Sequence, residues 1–236
     1  MENCPHQKFI QDICTKTFNR LEKMYLEPEK SKLIFPEYAD KNIRISEQEA
    51  RFSFVNELEK SNHYYYSIET PTEHKYKDFT TLQPKIFERV ANDGRSGEID
   101  LTVYEISKEN RETNEKPQFK RIINIEFKKG QPEQSAINKD LLKLYFEEPC
   151  GMWFHIIQHT DSGTLKAICD KLNEGLKYVR NPNISTISVI NRKIIFFIAI
   201  LEQEPNKNCR YLNCIIDVTK EEIKLVDKGM IEPKII

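Results

Sequence analysis

The chain has 236 residues, 39% hydrophobic and 31% charged, a balance that supports a packed core and excludes the disordered and fibrous classes. Lys and Arg (36) almost cancel Asp and Glu (37), for a formal charge of −1, so there is no global basic signature and any nucleic-acid contact must use a local patch. The first twenty residues mix charges into their apolar positions and lack a secretion signal, and the longest apolar run, Ile194–Leu201, is far short of the roughly 20 residues a membrane span needs. The expectation is a cytoplasmic protein with no membrane contact, one domain with additions. The six cysteines, at 4, 14, 150, 169, 209 and 214, contain no CxxC pair, and neither Cys4, His6 and Cys14 nor Cys209 and Cys214 have zinc-site spacing; free thiols are expected.

In chain order, Phe9, Ile10, Ile13, Cys14, Leu21 and Tyr25 recur at helical spacing and predict a helix over 5–26, followed by a connection over 27–44 that holds Pro28 and Pro36. Ser46 with Glu49 matches a capping box and starts a second helix that ends near Asn62. Tyr64–Thr70 reads as a strand halted by Pro71, and 71–94 as irregular with a short helix around Lys85–Ala91. Asn92-Asp93-Gly94 and Ser96-Gly97 read as turns. Ile99, Leu101 and Val103 alternate as a strand, Ser107–Pro117 is a charged hairpin tip, and Arg121–Lys128 is the returning strand, broken by Gly130 and Pro132. A helix over Glu133–Glu147, a strand over Met152–Gln158, a helix from Ser162-Gly163 to about Val179 and two last strands, Ile194–Leu201 and Leu212–Val218, complete the order. The class is α/β, a mixed central sheet flanked by helices. Residues 1–45 read as an N-terminal helical extension and 46–236 as the main domain, with a core over 46–159 and an elaboration over 160–236.

Chemistry concentrates where two of these strands meet. Side chains alternate along a strand, so Glu126 and Lys128 share one face, about 7 Å apart, while Ile125 and Phe127 point to the core. A hairpin between the two strands brings Asp100 beside them. Two carboxylates and an ammonium suit a phosphodiester: hard oxygens hold Mg²⁺, the ion activates water, and the lysine positions or deprotonates that water and steadies the transition state. The Phe127 carbonyl is a further candidate ligand.

With Asp100 as first acid and Glu126-Phe127-Lys128 as E-x-K, in this order of elements, the chain resembles the PD-(D/E)xK nuclease superfamily, also called restriction-endonuclease-like. Ile99 stands where some members have Pro. The resemblance covers 46–159 and implies an αβββαβ core and a Mg²⁺- or Mn²⁺-dependent nuclease acting on DNA, in restriction or defence against foreign nucleic acid. It also implies Asp100, Glu126 and Lys128 as catalytic residues, and a homodimer, for which the N-terminal helix and the final strands are candidates by elimination. Many members add a glutamate from the first core helix. Glu47, Glu49 and Glu57 compete, and Glu47 is preferred because it lines up with Ala50, Phe54 and Leu58. Gln134, Asn138 and Lys139, at the start of the helix after E-x-K, are candidate substrate contacts; Lys139 and Lys143 share a face with Ser135 and are candidates for touching the nucleic-acid backbone, beside the reading of an ordinary solvated face; Glu69 is read as a turn residue. Two other readings stand beside the nuclease: a catalytically silent nuclease-like module binding nucleic acid or a protein, and a hydrolase using Cys150 with His155 or His159. The second lacks a nucleophile turn around Cys150.

Overall fold

Helical apolar spacing becomes α1 (Gln7–Leu26) and α2 (Glu47–Leu58), which bury Ile10, Ile13, Leu21, Ala50, Phe54 and Leu58 against one face of a sheet. The computed structural model describes residues 6–79, 86–90, 94–107, 118–158, 161–181, 192–202, 208–226 and 230–235. After α2 come β1 (Tyr65–Phe79), β2 (Ile86–Val90), β3 (Arg95–Ile106), β4 (Phe119–Lys129), α3 (Gln134–Phe146), β5 (Gly151–Gln158), α4 (Ser162–Arg180), β6 (Lys193–Leu201), β7 (Arg210–Asp217), β8 (Glu221–Val226) and β9 (Met230–Ile235).

The first seven strands form one mixed sheet in the order β2-β1-β3-β4-β5-β6-β7. The β4–β5 and β5–β6 pairs are parallel and the others antiparallel. Two successive parallel crossovers, through α3 and α4, carry both helices over the same face, where they pack on Trp153, Phe196 and Ile198. The centre strands β5 and β6 are covered on both sides, which is why their sequences are apolar runs with no alternation. On the α1/α2 face an aromatic chain ties the layers: Phe154 lies 6.5 Å from Phe54, 5.4 Å from Phe127 and 5.0 Å from Phe197 between ring centroids, and Phe197 stacks on Tyr211 at 4.9 Å.

Several local expectations give way to tertiary pairing. Strand β1 does not stop at Pro71. Its register against β3 shifts between Pro71 and Lys75 and Glu69 adopts φ of 51°, so an irregularity absorbs the missing proline N–H and the strand continues. The helix expected around Lys85–Ala91 is instead β2, an edge strand templated by the far half of β1 from Lys75↔Val90 to Phe79↔Ile86. Ser96-Gly97 lies inside β3 and is not a turn. At α2 the Ser46 hydroxyl meets the Glu49 carboxylate directly, not the helix amides; Glu49 also pairs with Arg44 at 3.4 Å, so the capping box does not form. β8 and β9 add a hairpin beyond the two strands taken as last. It is docked by Asn173, whose side chain exchanges two 2.8 Å hydrogen bonds with the Ile223 backbone. Asn92, Asp93, the tip over 108–117 and His159 lie outside the described residues. Among the described residues no helix is long and apolar enough to cross a membrane.

Cys150 and His155 serve the core. The Cys150 thiol is buried against the Lys193 carbonyl at 3.7 Å, while His155 is buried with Nε2 2.8 Å from the Gly130 carbonyl, so among the described residues the cysteine-hydrolase reading has no Cys150–His155 contact behind it. Burial pushes the His155 pKa down to about 4. The unfolded chain takes up this proton below about pH 6.5 and the folded chain does so only near pH 4, so stability should fall as pH drops through that window. Urea midpoints from pH 7 to 4 should show a shallower fall in His155→Gln, the two profiles converging in acid.

Candidate active site

The site begins where β3 and β4 part. Their ladder runs from Ile106↔Phe119 to Leu101↔Ile125 and goes no further. The Phe127 N–H, next on the β3 side, donates to Asp100 Oδ2 at 2.8 Å. Ile125 and Phe127 enter the α1/α2 core, as alternation requires. Asp100, Thr102, Asn124, Glu126 and Lys128 therefore face α3. Thr102 Oγ1 donates to Asn124 Oδ1 at 3.0 Å, which starts a polar column that ends at the open end of the hairpin.

Gly130, at φ of 58°, ends β4 in the left-handed region that favours glycine, and the chain turns into α3. This helix returns over Glu126 with Asp140, which sequence reasoning did not assign, and Lys143, which it offered only as a contact to a nucleic-acid backbone. Lys128 Nζ stands 2.7 Å from Asp140 Oδ2 and 3.9 Å from Glu126 Oε2. Lys143 Nζ stands 2.5 Å from Glu126 Oε1 and 2.9 Å from Asp140 Oδ1, and donates to the Glu98 carbonyl at 2.7 Å. The Glu126 contact is a charge contact and not an aligned hydrogen bond, since Oε1 has no partner of that kind. Asp140 and Lys143 sit in Asp140-Leu-Leu-Lys143-Leu, a charged pair three apart in an otherwise apolar helix face. That is the signal that could have found them, because buried charges persist only when paired.

The cluster lines an open groove of roughly 490 Å³ with Glu69, Gly97, Asp100, Lys139 and Asp140 at its walls. Glu69, expected as a plain turn residue, borders this groove and lies 3.8 Å from Arg51. Of the three α2 glutamates, Glu47 is the one beside the cluster, its Oε1 accepting from the Lys129 N–H at 3.2 Å. Glu49 is held by Ser46 and Arg44, and Glu57 by Lys60 at 2.6 Å. Of the three α3 candidates only Lys139 reaches the groove. Gln134 donates to Asn138 at 2.9 Å and to the Lys171 carbonyl at 3.0 Å; both amides are turned to α4, where the helix pair needs polar partners at its rim.

Burial pushes Glu126 well above the usual carboxylate range, and nearby Asp140 adds to this while Lys143 opposes it. Asp140 is also buried, but Lys143 and Lys128 hold it below its ordinary value. For Lys128 burial works downward, yet Asp140 and Glu126 more than offset it, so the amine stays protonated; Lys143 behaves alike. Burial raises Glu47, with Lys128 opposing. Because the folded chain keeps the Glu126 proton after the unfolded chain has lost its own, ionising Glu126 costs stability as pH rises above about 4.5. Glu126→Gln leaves Asp100 and Asp140 balanced by Lys128 and Lys143. It should raise the melting temperature of metal-free protein at pH 8 by roughly 2–4 °C, a gain of about 1 kcal/mol. The difference should shrink towards pH 4.5 in differential scanning calorimetry.

Among the described residues no group of three or more His, Cys, Asp or Glu is arranged by itself to hold a metal ion. The acids here are interleaved with ammonium groups. The donor chemistry nevertheless fits a hard cation: Asp100 and Glu126 carboxylates, with the backbone carbonyl of Glu98 beside them. Fold and site together define an α/β protein with a buried carboxylate–ammonium cluster opening on a groove. No protein-family model, characterised protein or solved structure matches the chain.

Proposed function

We propose that the chain is a metal-dependent nuclease of the PD-(D/E)xK type that hydrolyses phosphodiester bonds of DNA. The observation that carries this reading is the gathering of Asp100, Glu126 and Lys128 at one open groove where β3 and β4 separate. Asp100, Glu126 and the Phe127 carbonyl would hold Mg²⁺ or Mn²⁺, with Glu47 entering from α2. When bound, such an ion lowers the pKa of water and neutralises charge on the phosphate. Lys128, kept protonated by Asp140, does not serve as the base that deprotonates water; it offers a fixed positive charge to the non-bridging oxygens. Asp140 is a positioning residue for both amines. The local basic patch that a near-neutral chain requires has a candidate in a cleft of about 600 Å³ between α1 and α2. Arg20, Lys23, Lys32 and Lys60 line it, and Lys60 is paired with Glu57.

A second reading has its own observation. Both amines already touch the site's carboxylates, and Glu126 is 1% exposed, as in a silent module that binds nucleic acid or a partner without cutting. Supercoiled plasmid and end-labelled single strands, incubated with Mg²⁺ or Mn²⁺, separate the two. The nuclease reading expects metal-dependent cutting that chelation stops. Retention of the DNA with no cutting under either metal supports the silent module. Restriction or defence is the role that such cutting would serve, and a homodimer would place two grooves on one duplex.

A further inference from the structure

Three oxygens from three elements surround one nitrogen. Lys143 Nζ lies 2.5 Å from Glu126 Oε1, 2.7 Å from the Glu98 carbonyl and 2.9 Å from Asp140 Oδ1, and the side chain is 6% exposed. The Glu98 carbonyl accepts one of the three N–H groups of the ammonium, and both carboxylates lie within ion-pair distance of its charge. Gly97 leaves room for the lysine stem: a Cβ there would stand 3.2 Å from Lys143 Cδ, so the stem would have to shift by a few tenths of an ångström. Mg²⁺ takes the same carboxylate and carbonyl oxygens at about 2.0–2.1 Å, inside the distance at which the ammonium now sits.

We infer that Lys143 is the resident cation of this site, that it competes with the divalent ion for Glu126, and that metal entry requires its amine to swing out into the groove. The inference rests on the nuclease reading and deepens it. Two positive charges cannot share Glu126 Oε1, and the neighbouring Asp140, which also holds Lys128 at 2.7 Å, offers the displaced amine no second vacant oxygen pair. Four methylenes give Lys143 the reach to leave, and the groove beside it is open. The arrangement keeps the buried acids neutralised before metal arrives, at a cost in metal affinity. Once displaced, the amine lies in the groove where a phosphate would pass.

The test is Mn²⁺ binding by calorimetry to the full chain, to Lys143→Met and to Glu126→Gln. Lys143→Met should bind Mn²⁺ at least tenfold more tightly than the unaltered chain, and the gain should vanish in the double variant with Glu126→Gln. A second measurement needs no substitution: the rate at which an amine-acylating reagent modifies Lys143, read by mass spectrometry against exposed Lys224, should rise on adding Mn²⁺. Equal Mn²⁺ affinity of the unaltered chain and Lys143→Met, with Lys143 still protected, overturns the inference and leaves the nuclease reading standing. Absence of Mn²⁺ binding from both overturns the two together. If Lys143→Met does not fold, the acylation rate in the unaltered chain decides.

Discussion

Asp100→Ala and Glu126→Ala should each lower metal-dependent cleavage by about 10³-fold, because each removes a carboxylate that charge stabilisation at phosphorus relies on, an effect of several kcal/mol. Lys128→Ala should cost about 10²-fold, since it takes away a fixed charge and leaves the carboxylates in place. The loss should fall on kcat more than on KM. Gln134→Ala, whose amide is committed to Asn138 and the Lys171 carbonyl, should cut within about threefold of the parent. Initial rates on a labelled duplex, with circular dichroism to confirm folding, measure all four. Cutting that persists unchanged in both Glu126→Ala and Lys128→Ala sinks the proposed site.

Phe154→Ala should destabilise the protein by about 3–5 kcal/mol, the range for emptying a buried aromatic position, and lower the melting temperature by on the order of 10 °C. Phe154 is fully buried and touches Phe54 of α2, Phe127 of β4 and Phe197 of β6, so the cavity opens between layers that cannot collapse together without moving the sheet. Phe127 is the backbone neighbour of Glu126 and Lys128. A loss of activity larger than the unfolded fraction explains, in urea titrations run beside rate measurements, is therefore also expected from Phe154→Ala.

Elements with strong periodicity were legible before any coordinates. α1, α3, α4, β3, β4, β5 and β6 fall within a few residues of their sequence-based bounds because each carries its own apolar pattern, period 3.6 or 2 or an unbroken run. β2 and the second half of β1 were not. Charged and proline-bearing, they hold strand geometry because they pair with each other, and β8 with β9 likewise. The hairpin that gathers Asp100, Glu126 and Lys128 was legible for the same reason: alternation sets the face, and the two strands are consecutive. Asp140 was not legible, and Lys143 only as a backbone contact or part of a solvated face, because Leu141, Leu142 and Leu144 carry the apolar pattern and nothing local shows that the charges between them are buried.

Local chain chemistry alone was enough to say that this is an α/β protein with a mixed sheet, that Ile194–Leu201 is a strand within it, and which two acids and one amine share a sheet face. Those properties depend on nearest neighbours and on a two-residue period. Only the three-dimensional packing decided that α3 folds back over Glu126, that Gly97 makes room for a second amine, and that Gln134 and Asn138 face α4 while Glu47 approaches from α2. Such contacts join residues tens of positions apart, and their charges become interdependent only once burial removes the water that would screen them.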